Sequence, residues 1–185
     1  MKLSKQLDNK ITYLGLYQMI GGGLGIIINT WLLINTGYIT GAAVFALLIS
    51  YGLFGFSIYC GNLLHKSEYD KGLSLSKINQ ALQVIKFSIL GYGYKYISGF
   101  MIMIGFDITN NFEFTFEFSL SSWRITLNSY ELLGIVGINL VAAFLIWFIG
   151  KLQNDIEKHQ ELLNPIEMEN NSAQQKLTLR NKHNR

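Results

Sequence analysis

From Ile11 to His65 the chain runs for 55 residues without a single Asp, Glu, Lys or Arg. One membrane crossing needs about 20 such residues. A second uncharged run, of 19 residues, lies between Glu131 and Lys151. Runs of this length point away from a soluble globular protein. A chain that is 50% apolar and only 15% charged is also too rich in apolar groups for intrinsic disorder. The single cysteine, Cys60, excludes an intramolecular disulfide framework and any multi-cysteine zinc site. A net charge of +3 spread over the chain gives no basic face for nucleic acid.

Residues 1–10 carry Lys2, Lys5 and Lys10 against Asp8, a basic flank like that of a signal peptide. The apolar run behind it far exceeds the roughly 7–15 residues such a peptide uses, and no small-residue cleavage site closes it. The reading is an uncleaved membrane helix over Ile11–Ile34. Asn35-Thr36-Gly37 is the turn-like cluster inside the run. A second helix from Tyr38 to Leu64 then makes residues 11–64 an antiparallel transmembrane hairpin. A third span is expected over Leu132–Gly150, within residues 131–150, with Asn139 at its middle and Trp147 near its end.

Residues 65–130 differ in character. His65–Gly72 reads as a charged loop, and Ser76–Ile85 as a short amphipathic helix at the membrane surface, with Ile78, Leu82 and Ile85 at helical spacing. The period then changes from 3.6 to 2. Phe112, Phe114, Phe116, Phe118 and Leu120 alternate with Glu113, Thr115, Glu117 and Ser119, and Phe100 to Ile108 alternates on the other side of Asn110-Asn111. That pattern predicts an antiparallel β-hairpin with one phenylalanine-lined apolar face. Trp123–Leu127 is read as a third strand and Tyr92, Tyr94 and Tyr96 as a fourth. The alternative for Ile89–Phe106 is a fourth span, which would place Lys95 in hydrocarbon at about 2.5–3.5 kcal/mol.

The expected fold is an α-helical integral membrane protein with three transmembrane helices (alternative four) and a small antiparallel β-sheet inserted before the last. Residues 151–185 are expected to be helical as far as Pro165 and disordered beyond. Lys2, Lys5, Lys10, Lys66, Lys71 and Lys77 flank the spans on the same side of the membrane as the amino terminus, which places the amino terminus in the cytoplasm of a multi-pass cell-membrane protein. Frequent Asn, Ile and Lys suit an AT-rich bacterial genome, and hence a bacterial inner membrane.

Gly21, Gly25, Gly37 and Gly41 stand four apart in pairs and are read as helix-packing positions, as small residues let helices approach closely in lipid. Asn139 is read as an interhelical hydrogen-bonding residue. Gly91-Tyr92-Gly93 resembles a potassium-channel filter, but Ser88-Ile89-Leu90 before it and Lys95 after it do not fit one. His65, Glu68 and Asp70 match no metal-ligand spacing, and the three histidines lie scattered over loop and tail. No catalytic, cofactor-binding or metal-binding set is assigned. The expected function is that of a non-enzymatic accessory subunit or scaffold working through protein contacts, its partners being the bilayer and either another protein or further copies of itself. The alternative is a small homo-oligomeric pore or transporter, which needs polar residues such as Thr30, Thr40, Ser50, Ser57 and Asn139 aligned along the spans.

Overall fold

Helix α1 (Lys5–Ile34) starts where the Ser4 side chain accepts a hydrogen bond from the Leu7 amide, and α2 (Gly41–His65) starts on Thr40, which accepts from Ala43. Both are hydroxyl N-caps satisfying amides that have no intrahelical acceptor. The computed structural model describes residues 3–36, 40–109, 112–128 and 134–183. The two helices pack through small residues. A methyl group on Gly22 would come within 2.6 Å of the Phe54 carbonyl, and one on Gly15 would sit 3.0 Å from that of Gly61.

The remaining elements in chain order are α3 (Tyr69–Val84), β1 (Ile85–Ile89), β2 (Tyr92–Asp107), β3 (Glu113–Thr126), β4 (Gly134–Asn139) and α4 (Leu140–His183). One end of the molecule is a four-helix junction, in which Leu7, Ile11 and Leu14 of α1 meet Leu64 of α2, Leu73 of α3, and Ile149, Leu152 and Ile156 of α4. The sheet lies alongside the middle of α1.

The strands run antiparallel in the order β1-β4-β2-β3, and β1 also pairs with the start of β2. Strand β2 achieves this by bending at an irregularity between Ile97 and Phe100, where Gly99 adopts φ +111°. One edge of β2 pairs with β3 over its whole length. The other pairs first with β1, at Tyr92–Tyr94, and then with β4, at Met103–Asp107. Because β1 and β4 pair with each other, the ring β2-β1-β4-β2 closes and β3 keeps the one free edge. Ile89 and Tyr92 face each other across Leu90 and Gly91, both at positive φ, as a two-residue type I′ hairpin requires.

This overturns the three-helix membrane fold. Among the described residues, only α1 and α2 are helices long and apolar enough to cross a bilayer. In the expected third span, Gly134–Asn139 is strand β4 and the helix begins at Leu140. An uncharged run carries no information about its period, and here Gly137 is needed flat against β2: a methyl group on it would strike the Met103 side chain. The Ile89–Phe106 segment is strand, not a fourth span, and the sheet expected there is present. Tyr92–Tyr96 and Phe100–Ile108, read as separate, fall on the two halves of the bent β2, which ends at Asp107, while Trp123–Thr126 continues β3 through Ser121-Ser122 without a turn. The expected Asn110-Asn111 turn lies outside the described residues. Helix α4 continues past Pro165 to His183.

Candidate lipid-facing surface and its polar core

From Ser76 to Val84, Lys77 apart, helix α3 is amphipathic with the polarity reversed from that of a soluble protein. Ser76, Asn79, Gln80 and Gln83 are buried, whereas Ile78 (52%) and Leu82 (39%) are exposed, and Ile85 just beyond the helix is also exposed. Soluble helices turn the apolar stripe inward.

The buried side meets polar groups of α1, α2 and β2. Gln18 donates from Nε2 to Ser76 Oγ at 2.8 Å and accepts at Oε1 from Asn79 Nδ2 at 3.0 Å. Asn79 Nδ2 also reaches Ser57 Oγ at 3.1 Å, and Asn79 Oδ1 accepts from the Tyr96 hydroxyl at 3.0 Å. Ser57 donates to the Gln18 carbonyl at 3.0 Å and receives Ser98 Oγ at 2.8 Å, while Gln83 Oε1 accepts from the Ser98 amide at 2.7 Å. Such a network is favourable in a low-dielectric interior when its members are paired. Nearer the hairpin tip Asn29 pairs with Ser50, and Thr30 with Tyr51 at 2.9 Å.

The sheet repeats the inversion. Directly opposed residues of antiparallel strands share a face. Phe114, Phe106, Val136 and Phe87 form one row across the four strands, and Phe116, Ile104, Ile138 and Ile85 the next. Phe114, Phe116 and Phe118 are exposed, as is Phe112, which stacks on Phe106 at 4.6 Å. The opposite face carries the row Lys86, Gly137, Gly105 and Thr115. With two glycines in the middle strands, the Lys86 side chain reaches across to pair with Glu117 of β3, which also receives Lys95 Nζ at 2.8 Å. Partial burial pushes the Glu117 carboxyl up, but hydrogen bonds from Lys86 and then Lys95 more than offset this and hold it below the usual glutamate value.

Helix α1 adds an exposed stripe through Tyr13, Leu16, Ile20, Leu24, Ile27, Trp31 and Ile34. At 1.5 Å per residue, Tyr13 to Ile34 spans about 31 Å, the thickness of a hydrocarbon core. Towards the four-helix junction, Tyr59 and Trp147 are each capped by a lysine, Lys71 at 5.8 Å and Lys151 at 5.7 Å from the ring centroids. Aromatic rings beside cations are typical of the membrane–water interface.

The predicted glycines divide. Gly25 faces the Phe54 ring of α2, so it is a helix-packing residue. Gly21 meets a strand: a methyl group there would lie 2.6 Å from the Gly99 amide nitrogen, and its carbonyl accepts from Ser121 Oγ at 2.8 Å. Gly41 faces open space, and Gly37 lies outside the described residues. Asn139 caps α4, its Oδ1 accepting from the amides of Val141 at 3.1 Å and Ala142 at 3.4 Å, in place of the expected bond between helices. Cys60 is buried, and His65, Glu68 and Asp70 do not join a metal-binding group among the described residues. The Gln18–Asn79–Ser57 network was not foreseen, whereas cross-strand ion pairs of Lys86 and Lys95 with Asp107, Glu113 or Glu117 are what the strand alternation suggests, and both lysines meet Glu117. Gln18, alone between Tyr17 and Met19 in an apolar run, was the available signal for the network. No known protein family, curated protein or solved structure matches the chain.

Proposed function

We propose that the chain is a membrane-embedded accessory protein that works through contacts, with α1 and α2 crossing the bilayer and the apolar faces of α3 and the sheet turned to acyl chains. The reversed polarity of α3 carries this reading. In water such a helix would solvate its apolar side chains and dehydrate its polar ones. In lipid both arrangements are favourable, because buried polar groups find partners only inside the protein. The exposed apolar rows of the sheet extend the same surface, and a contiguous apolar patch of this kind marks a contact with lipid or with another protein. Lys5, Lys10, Lys66 and Lys71 lie at one end of the hairpin, and Asn35, Thr36 and Thr40 at the other carry no charge. The positive-inside rule then favours a cytoplasmic amino terminus. Contact function is favoured over a pore because the polar side chains of the spans are occupied: Ser50 by Asn29, Thr30 by Tyr51, Ser57 by the α3 network and Thr40 by the α2 cap.

The test is reconstitution into vesicles containing brominated phospholipid, using variants that keep one tryptophan each. Trp31 and Trp147 are exposed on the proposed lipid surface. Acyl-chain bromines should quench both, and alkaline carbonate should leave the protein in the membrane. Release by carbonate with unquenched Trp31 would overturn the reading.

A further inference from the structure

The polar side of the sheet encloses a cavity of about 280 Å³. Lys86, Lys95, Arg124 and Glu117 supply its charges, with Ser88 and Thr126 also in the lining. The cluster has more donors than acceptors. Among the described residues, the Lys86 ammonium bonds only Glu117, and that of Lys95 bonds Glu117 and Ser119. Since each ammonium has three donors, both retain unused ones. Arg124 stands directly opposite Lys95 in the β2–β3 ladder, and no acidic side chain pairs with it among the described residues. Like charges placed opposite each other on neighbouring strands repel. The Lys95–Arg124 pair is therefore a local cost that Glu117, already shared by two lysines, does not cover.

We infer that this cavity binds a phosphate oxyanion, with Arg124, Lys95 and Lys86 donating to its oxygens. A phosphate group only accepts, carries several oxygens, and suits the planar fork of an arginine. The volume lies at the small end of ligand sites and fits a phosphate with a short substituent. Glu117 holds the two lysines in place and opposes the anion by its charge. Two sources offer this chemistry, inorganic phosphate in solution and the headgroup of an anionic phospholipid. Binding of the former does not require the membrane reading above.

The experiment is calorimetric titration of the full chain in detergent with inorganic phosphate against chloride at matched ionic strength. In parallel, thermal unfolding is compared in nanodiscs of phosphatidylglycerol and of phosphatidylcholine. Arg124→Gln changes an exposed side chain, so folding should survive, and it should weaken binding at least tenfold. Glu117→Gln should tighten binding, a direction that mere loss of structure cannot produce. Lys77→Gln, an exposed lysine of α3 outside the cavity, should change nothing. Saturable, Arg124-dependent binding of free phosphate identifies the soluble source. Arg124-dependent stabilisation by phosphatidylglycerol alone identifies the headgroup. The absence of both, or binding that Arg124→Gln leaves intact, overturns the site.

Discussion

Replacing Asn79 with alanine tests the polar core most directly. The substitution removes the Nδ2 bonds to Gln18 Oε1 and Ser57 Oγ and the Oδ1 acceptor of the Tyr96 hydroxyl. Tyr96 still donates to the Leu53 carbonyl at 2.8 Å, and Ser57 keeps both the Gln18 carbonyl and Ser98. Gln18 Oε1 alone is stranded. A stranded buried acceptor costs about 1–3 kcal/mol, and the small cavity left behind adds roughly 1, so a loss near 3 kcal/mol is expected. SDS titration in mixed micelles, followed by tryptophan fluorescence, reads this out. Ser74→Ala, on the exposed side of the same helix, should stay within about 0.5 kcal/mol of the parent. If stranding is the cause, the Asn79→Ala penalty should shrink by about 2 kcal/mol in a Gln18→Leu background, where no acceptor remains to strand. Additive penalties within about 0.5 kcal/mol would refute this account of the network.

Gly25→Ala should destabilise by about 1–3 kcal/mol through the clash with Phe54, and Phe54→Leu in the same chain should recover part of the loss in the same titration. The Glu117 carboxyl titrates below its ordinary value of 4.5 in the folded state, so it stabilises the fold above that pH and ceases to as pH falls through the lower folded value. Melting temperatures between about pH 3 and 7 should therefore fall less steeply at the acid end in Glu117→Gln than in the parent. A cysteine at exposed position Glu68, with Cys60 replaced by alanine, should be shielded from an impermeant maleimide in intact cells and react after lysis. Labelling in intact cells would reverse the orientation.

The hairpin was legible because charge exclusion over 55 residues is a property of composition, and one Asn-Thr-Gly break divides it. The phenylalanine alternation was legible because a period of 2 from Phe112 to Leu120 fits a strand and scatters around a helix. In α3 the spacing of Ile78 and Leu82 gave the apolar stripe, but periodicity cannot say which stripe faces inward. That sign is set by the solvent. The Leu132–Gly150 reading failed because strand β4 and the first turns of α4 are equally uncharged, and length alone joined them. Cross-strand pairing of Lys86 and Lys95 with an acid of the hairpin was legible, but the choice of Glu117 over Asp107 or Glu113 was not: it depends on Gly137 and Gly105 lying between Lys86 and β3 in a four-strand register that no local pattern encodes.

The bond from Ser121 to the Gly21 carbonyl joins residues 100 positions apart, and Gln18 meets Asn79 from 61 positions away. During synthesis, the α1–α2 hairpin therefore leaves the ribosome with Gln18 and Ser57 lacking their α3 partners, and Gly21 presents a bare groove until β2 and β3 have been made. Chains arrested before residue 76 leave the Gln18 side-chain amide without the partners that Ser76 and Asn79 supply. Synthesis of β3, which brings Ser121 to the Gly21 carbonyl, is then the step that completes the partners of the hairpin.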